Sequence, residues 1–253
     1  MTLVVAANID GVAYVLADSA ITLRRPAPHY WGTTTVASDA VLGCPDYVYE
    51  GAMKVVDYGS ALMSFAGDTD IFRSVGLVAR RALAAGVPSA HAFRDAINSG
   101  TPVPPRDPYT FVFAWEGPHG PEVHLYGAPS CQWQQLDPGQ VTAFGSGASS
   151  YFDFAADAVR SVRNVPPCTP ASTRLALLSA AFHAIQGPTF RKTMLHGFGG
   201  AFIGGYLANG ATGWAPDTYS VFWGHDGKFH TTFSAARDRV FFAYSTAMSC
   251  SGE

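Results

Sequence analysis

The chain is short of charge. Of its 253 residues only 14% are Asp, Glu, Lys or Arg, and the lysines are confined to Lys54, Lys192 and Lys228. Its 16 basic side chains do not exceed the 19 acidic ones, so there is no basic surplus to displace counterions, and a general nucleic-acid binder is excluded. Cysteine is scarce as well. Cys44, Cys131, Cys168 and Cys250 form no C-x-x-C and no short Cys/His cluster, which argues against a zinc or disulfide framework and for reduced structural thiols. No stretch reaches 18 apolar residues, and MTLVVAANIDG lacks the basic start and small-residue cleavage site of an export signal. A cytoplasmic protein with no membrane partner is expected. What the chain has in quantity is apolar side chains, at 48%. That is enough for the core of one domain spanning residues 1–253, and too much for a disordered chain of such low net charge.

Leu3 to Asn8 and Val12 to Ala17 read as two strands turning at Asp10-Gly11, and nearly every position in both is apolar. Both faces of their sheet are therefore expected to be covered. Residues 23–51 show no period and read as an extended loop. A second strand pair is expected at Lys54 to Val56 and Ala61 to Ala66, turning at Asp57-Tyr58-Gly59. The spacing of Ile71, Val75, Val78 and Leu83 predicts a helix from Asp70 to Gly86, followed by a shorter one from Ser89 to Asn98. Strands at Tyr109 to Trp115, Glu122 to Tyr126 and Gln132 to Leu136 precede helices at Ser149 to Val162 and Ser172 to Ile185. A glycine-rich strand region from Gly199 and strands at Tyr219 to Trp223 and Lys228 to Phe233 follow. Blocks of strands separated by pairs of helices indicate an α+β fold with sheets packed between helix layers.

Three residues carry the chemistry. Initiator Met is normally removed before a small residue, which leaves Thr2 with a hydroxyl and a free α-amine whose ordinary pKa near 7.7–8.0 suits it to act as the hydroxyl's own base. Asp18 ends the second strand of the hairpin that Thr2 begins, so antiparallel pairing brings the two ends side by side. Lys54 heads an apolar strand, a poor place for a solvated lysine. Held by Asp18 near Thr2, its charge would help the hydroxyl lose its proton, and that charge is expected beside the nucleophile rather than in the core. The plainer alternative for the pair is an ion pair on a strand edge.

The segment TLVVAANIDGVAYVLADSAIT resembles the amino terminus of proteasome β-type subunits, and the run Ala17-Asp18-Ser19 is similar to the bacterial proteasome-like proteins called Anbu. The resemblance places Thr2 on the family's nucleophile and Asp18 on its conserved aspartate. Met53-Lys54-Val55 falls on the catalytic lysine. Ser64-Phe65-Ala66-Gly67-Asp68 falls on the segment whose backbone N–H is the oxyanion donor, with Ser64 at the donor position; Gly67 and Ser19 complete the oxyanion and substrate-binding side. Gly145-Ser146-Gly147 matches the Gly-Ser-Gly whose serine supports the terminal amine. The likeness covers about the first 165 residues in order, and the succession of elements extends it to residue 225.

It implies a four-layer αββα sandwich of the N-terminal-nucleophile (Ntn) hydrolase class and a threonine-type peptidase or amidohydrolase. Such an enzyme works through an acyl-enzyme on a peptide or protein substrate, without metal or organic cofactor. It also implies a homo-oligomeric ring or spiral of at least six subunits, with an ATPase or adaptor left open. The chain departs from the pattern in a stretch between Asp18 and Lys54 about twenty residues longer than usual. It departs again at Leu195-His196-Gly197-Phe198-Gly199-Gly200, where the family's Asp-x-x-Ser-Gly-Gly would stand. Two alternatives use the same fold: a connectase-like acyl transferase acting through Thr2, and a catalytically silent structural subunit.

Other candidates weigh less. His196 among glycines reads as a loop residue. Gly199-Gly200-x-x-x-Gly204-Gly205 lacks the Lys-Ser/Thr of a phosphate loop and reads as close sheet packing. Trp31, Trp115, Trp133, Trp214 and Trp223 read as core or interface residues.

Overall fold

A computed structural model of the chain describes residues 2–18, 20–23, 47–50, 54–67, 69–86, 95–96, 99, 109–127, 132–145, 148–182, 202–214, 218–225, 228–237 and 240–249. The first hairpin forms as its sequence demands. β1 (Leu3–Ile9) and β2 (Val12–Asp18) pair antiparallel from Val4↔Ala17 to Ile9↔Val12. Asp10 and Gly11 both take positive φ, +50° and +73°, the two left-handed positions that a two-residue type I′ turn requires.

The next strands are β3 (Ala20–Leu23), β4 (Tyr47–Glu50), β5 (Val55–Asp57) and β6 (Ala61–Ala66), followed by helix α1 (Thr69–Ala84). Then come β7 (Thr110–Gly117), β8 (Gly120–Gly127), β9 (Gln132–Leu136) and β10 (Val141–Gly145), and helices α2 (Ala148–Arg163) and α3 (171–182). β11 (Phe202–Ala208), β12 (Ala211–Trp214), β13 (Thr218–His225), β14 (Lys228–Arg237) and β15 (Val240–Ser249) complete the order. Every pairing is antiparallel. One five-stranded sheet has the order β10-β1-β2-β11-β12 and a second the order β5-β6-β7-β8-β9; β13-β14-β15 and β3-β4 form smaller sheets. The protein is α+β.

Three apolar cores hold these elements together, and strand alternation assigns each side chain to one of them. Leu3, Val5, Ala7 and Ile9 of β1 share a core with Ala155, Val159 and Val162 of α2 and Leu175, Leu178 and Phe182 of α3. Val4 and Ala6, on the other face of β1, pack with Ala13, Val15 and Ala17 of β2 against Leu62, Val112, Ala114 and Val123 of the second sheet. The far face of that second sheet presents Met63, Phe65, Phe111, Phe113 and Trp115 to Val75, Ala79 and Ala82 of α1. Both faces of the first hairpin are thus covered. Each large side chain so buried contributes about 1.5–3 kcal/mol, and β1 and β2 are buried at all but one of their positions.

Gly205 lies close against the second sheet: a Cβ there would lie 2.9 Å from Leu62 Cδ2, and one on Gly204 would strike the Val15 carbonyl. The double glycine serves close packing. Trp115 belongs to a core, and Trp133 and Trp214 pack against cores.

Several expectations are revised. The stretch 23–51 is not loop throughout, because Leu23 closes β3 and Tyr47–Glu50 pairs with it as β4; a four-residue strand is too short to show alternation. β10 and β15 are additions to the strands that the sequence pattern marks. Cys168 is exposed rather than structural. The helix expected at Ser89 to Asn98 lies outside the described residues except for Asp95 and Ala96, which are helical. Among the described residues no helix is long and apolar enough to cross a membrane.

Candidate functional site

The amino-terminal end of β1, the carboxyl ends of β2 and β10 and the residue before β5 meet at one place. Thr2, which precedes β1, is 5% exposed. The backbone N–H of Leu3 donates to Asp18 Oδ1 at 2.9 Å, and the Lys54 ammonium donates to the same oxygen at 2.7 Å. β2 lies between β1 and β11, with Asp18 opposite Phe202. The ion pair therefore sits at the end of an interior strand. It is not the strand-edge pair of the plainer alternative: Asp18 is wholly buried and the Lys54 side chain is 6% exposed.

Burial also corrects the expectation that the lysine's charge lies outside the core. Desolvation pulls the Lys54 ammonium below its usual pKa, against the opposing pull of the Asp18 carboxylate and its hydrogen bond. The ammonium and the carboxylate beside it interact in a medium that screens poorly.

Gly145 closes the opposite side. It pairs with Leu3 at the end of β10 and takes a φ of +103°. A Cβ on it would collide with the Thr2 carbonyl and reach within 3.4 Å of the Ala66 Cβ. The end of β6 therefore approaches Thr2, and Gly67, exposed and at φ +141°, follows it directly. Ser64 lies two residues deeper in β6, opposite Val55 and Val112, with its side chain fully buried and its hydroxyl lacking a hydrogen-bond partner among the described residues.

Of the residues expected to form a site, Thr2, Asp18, Lys54 and the Ala66-Gly67 end of β6 come together. Ser19, Met53, Asp68, Ser146 and the segment Leu195 to Gly200, with His196, lie outside the described residues. Two contributions go beyond the sequence reading: the Leu3 N–H, and the bare backbone of Gly145, which enters the sequence reading only through the Gly145-Ser146-Gly147 match. The second had a signal, a glycine ending a strand where a side chain would otherwise be expected. Among the described residues no group of three or more His, Cys, Asp and Glu is placed to hold a metal ion.

Neither a family model nor a curated protein sequence matches the chain.

Proposed function

We propose that this protein is an N-terminal-nucleophile hydrolase of the proteasome type, whose two five-stranded sheets form the inner layers of a four-layer αββα sandwich. It cleaves amide bonds of peptides or proteins through an acyl-enzyme on Thr2. The observation that carries the reading is the single Asp18 oxygen that binds both the Lys54 ammonium and the backbone N–H of the residue after Thr2. That geometry fixes a buried positive charge next to the start of β1, where a hydroxyl must lose a proton.

With Met1 removed, the Thr2 oxygen attacks the substrate carbonyl carbon and its proton passes to the Thr2 α-amine, directly or through a water. Lys54 stabilises the developing alkoxide. Backbone N–H groups at the Ser64 to Gly67 end of β6 receive the oxyanion, the kind of fixed donor that supplies a large share of such catalysis. Ser146 orients the amine. Collapse of the tetrahedral adduct breaks the C–N bond, the leaving amine takes the proton held by the terminal amine, and water then hydrolyses the ester and regenerates Thr2.

Intact mass spectrometry after treatment with a peptide epoxyketone or a β-lactone tests this. One adduct per chain, mapped to Thr2 and absent from the Thr2→Ala variant, is expected. An unmodified chain would instead favour the silent structural subunit. Transfer of the acyl group to an added amine in preference to water would assign the same threonine to a transferase.

A further inference from the structure

At the turn end of the first hairpin, about 23 Å from Thr2 by the length of β1, the surface opens into a cavity of about 510 Å³. It is lined by Asp10, Tyr14, Arg163, Thr169, Ala171 and Arg174, among others. Arg174 is 4% exposed. Its Nη1 donates to Asp10 Oδ2 at 2.9 Å, and its Nη2 donates to the carbonyls of Pro166 and Pro167 at 3.3 and 3.4 Å. These bonds fix the walls, but the buried Nε–H has no acceptor among the described residues.

The Tyr14 hydroxyl is in the same position. It is buried, and the one side-chain hydrogen bond it makes among the described residues is accepted from Arg174, so its proton has no acceptor there. It lies in the field of the Arg174 guanidinium, which can only donate, so the hydroxyl's own proton has nowhere to go. Burial pushes the Tyr14 pKa up to about 12, which keeps that proton in place. Ala171 contributes the start of α3, whose first intrahelical bond is Arg174 N–H to the Pro170 carbonyl. The N–H groups before it therefore have no acceptor within the helix. Arg163, an exposed second guanidinium, donates to the Gly139 carbonyl at the rim.

The unmet hydrogen-bonding capacity here is all of one kind. Among the described residues, the Tyr14 hydroxyl, Arg174 Nε and the head of α3 all lack acceptors. The lining side chains carry two positive charges against one negative, and that negative charge, on Asp10, is already engaged by Arg174. A site with spare donors and residual positive charge takes a ligand that brings acceptors and negative charge. Its volume is that of a small-molecule site, larger than a bare ion fills.

We propose that this cavity binds a small organic molecule through one oxyanionic group, a phosphate or a carboxylate, received by Tyr14 Oη–H, the Arg174 guanidinium and the amino-terminal N–H groups of α3. Arg163 contributes charge at the mouth. The site is separate from Thr2, so its test does not depend on catalysis.

Isothermal titration calorimetry of the full chain with sodium phosphate, and separately with sodium acetate, at constant ionic strength set by sodium chloride, tests the proposal. Saturable one-site binding of at least one anion is expected, with tighter phosphate binding pointing to a phosphorylated ligand and tighter acetate binding to a carboxylic acid. Tyr14→Phe, which removes only the hydroxyl, should weaken it by roughly ten-fold or more, the effect of losing a hydrogen bond to a charged group. Arg163→Ala, at an exposed position, provides a second variant and should also weaken it. Thr2→Ala should leave it unchanged. Absence of saturable binding by either anion, or affinity unaltered in both Tyr14→Phe and Arg163→Ala, would overturn the assignment.

Discussion

Asp18 and Lys54 stand 36 positions apart in sequence and meet at 2.7 Å in the interior, through an oxygen that also takes the N–H of Leu3. The arrangement joins stability and chemistry, and the two can be separated. Removing one partner of a buried pair leaves the other charge uncompensated and costs about 3–5 kcal/mol, whereas replacing both is often close to neutral. Lys54→Met alone should therefore lower stability in urea by about that amount. Combining it with Asp18→Asn, which keeps an acceptor for Leu3, should restore most of the loss. Neither variant should label with a β-lactone. Lys54→Arg should not label either, because a guanidinium has a different reach and geometry. Full labelling of the double variant would make the pair purely structural.

The same pair gives stability a pH dependence of defined sign. Burial holds the Lys54 pKa in the folded chain below its usual 10.5, so between the lowered value and 10.5 the unfolded chain binds more protons than the folded one. Stability contributed by this group grows as pH rises through that window and is lost as pH falls through the folded value. Urea midpoints measured from neutral pH to 10.5 should show the wild-type chain gaining on the Asp18→Asn, Lys54→Met double variant. Parallel curves would mean that Lys54 titrates as an exposed lysine does.

The proposed mechanism requires a free amine on Thr2. Edman sequencing or intact mass of the purified protein should find Thr2 as the first residue. Retention of Met1 on protein that nevertheless hydrolyses peptides would remove Thr2 from the reaction.

Gly145 should tolerate no side chain. At φ +103° an alanine is strained by about 1–3 kcal/mol from backbone conformation alone, and its Cβ would also push on the Thr2 carbonyl. Gly145→Ala should lower the melting temperature and slow β-lactone labelling more than a remote variant of equal stability does. Equal slowing in the two would confine Gly145 to a folding role.

Each described helix carries a large apolar side chain facing outward: Leu77 on α1, Phe152 on α2 and Leu177 on α3, between 43% and 49% exposed. In a chain with only 14% charged residues, we propose these side chains as subunit contacts, and the homo-oligomer of at least six subunits that the proposed family implies is the expected outcome. Light scattering at micromolar concentration should return a multiple of the 26.8 kDa chain mass. A mass of one chain would favour a free-standing amidase or transferase.

The parts of the fold legible in the sequence were those governed by local rules. Asp10-Gly11 declares its turn because few other pairs take two positive φ values in succession. The α1 and α2 spacings declare helices because one face of each must be apolar. β10 escaped notice because Val141–Gly145 is a short outer strand with no fully buried position, so its apolar pattern is blurred. Within the site, hairpin geometry was enough to bring the start of β1, next to Thr2, to Asp18. The burial of Lys54 depends on how two sheets stack, which no local pattern encodes. The Tyr14–Arg174 cavity was illegible for the same reason: residues far apart in the chain form it, and neither carries a motif.

The position of β1 and β2 in the middle of their sheet has a consequence for biosynthesis. Their outer neighbours are β10, which ends at Gly145, and β11, which begins at Phe202. The first strands to leave the ribosome are therefore among the last to be completed, with both hairpin edges and both apolar faces waiting for distant partners. At about 5–20 residues per second, the stretch from Asp18 to Phe202 takes roughly ten to forty seconds to synthesise. During that time the nascent hairpin is an open template for unwanted pairing. The strand that Thr2 begins acquires its full setting only when most of the chain has been made, so the proposed site cannot be assembled until β11 has been synthesised.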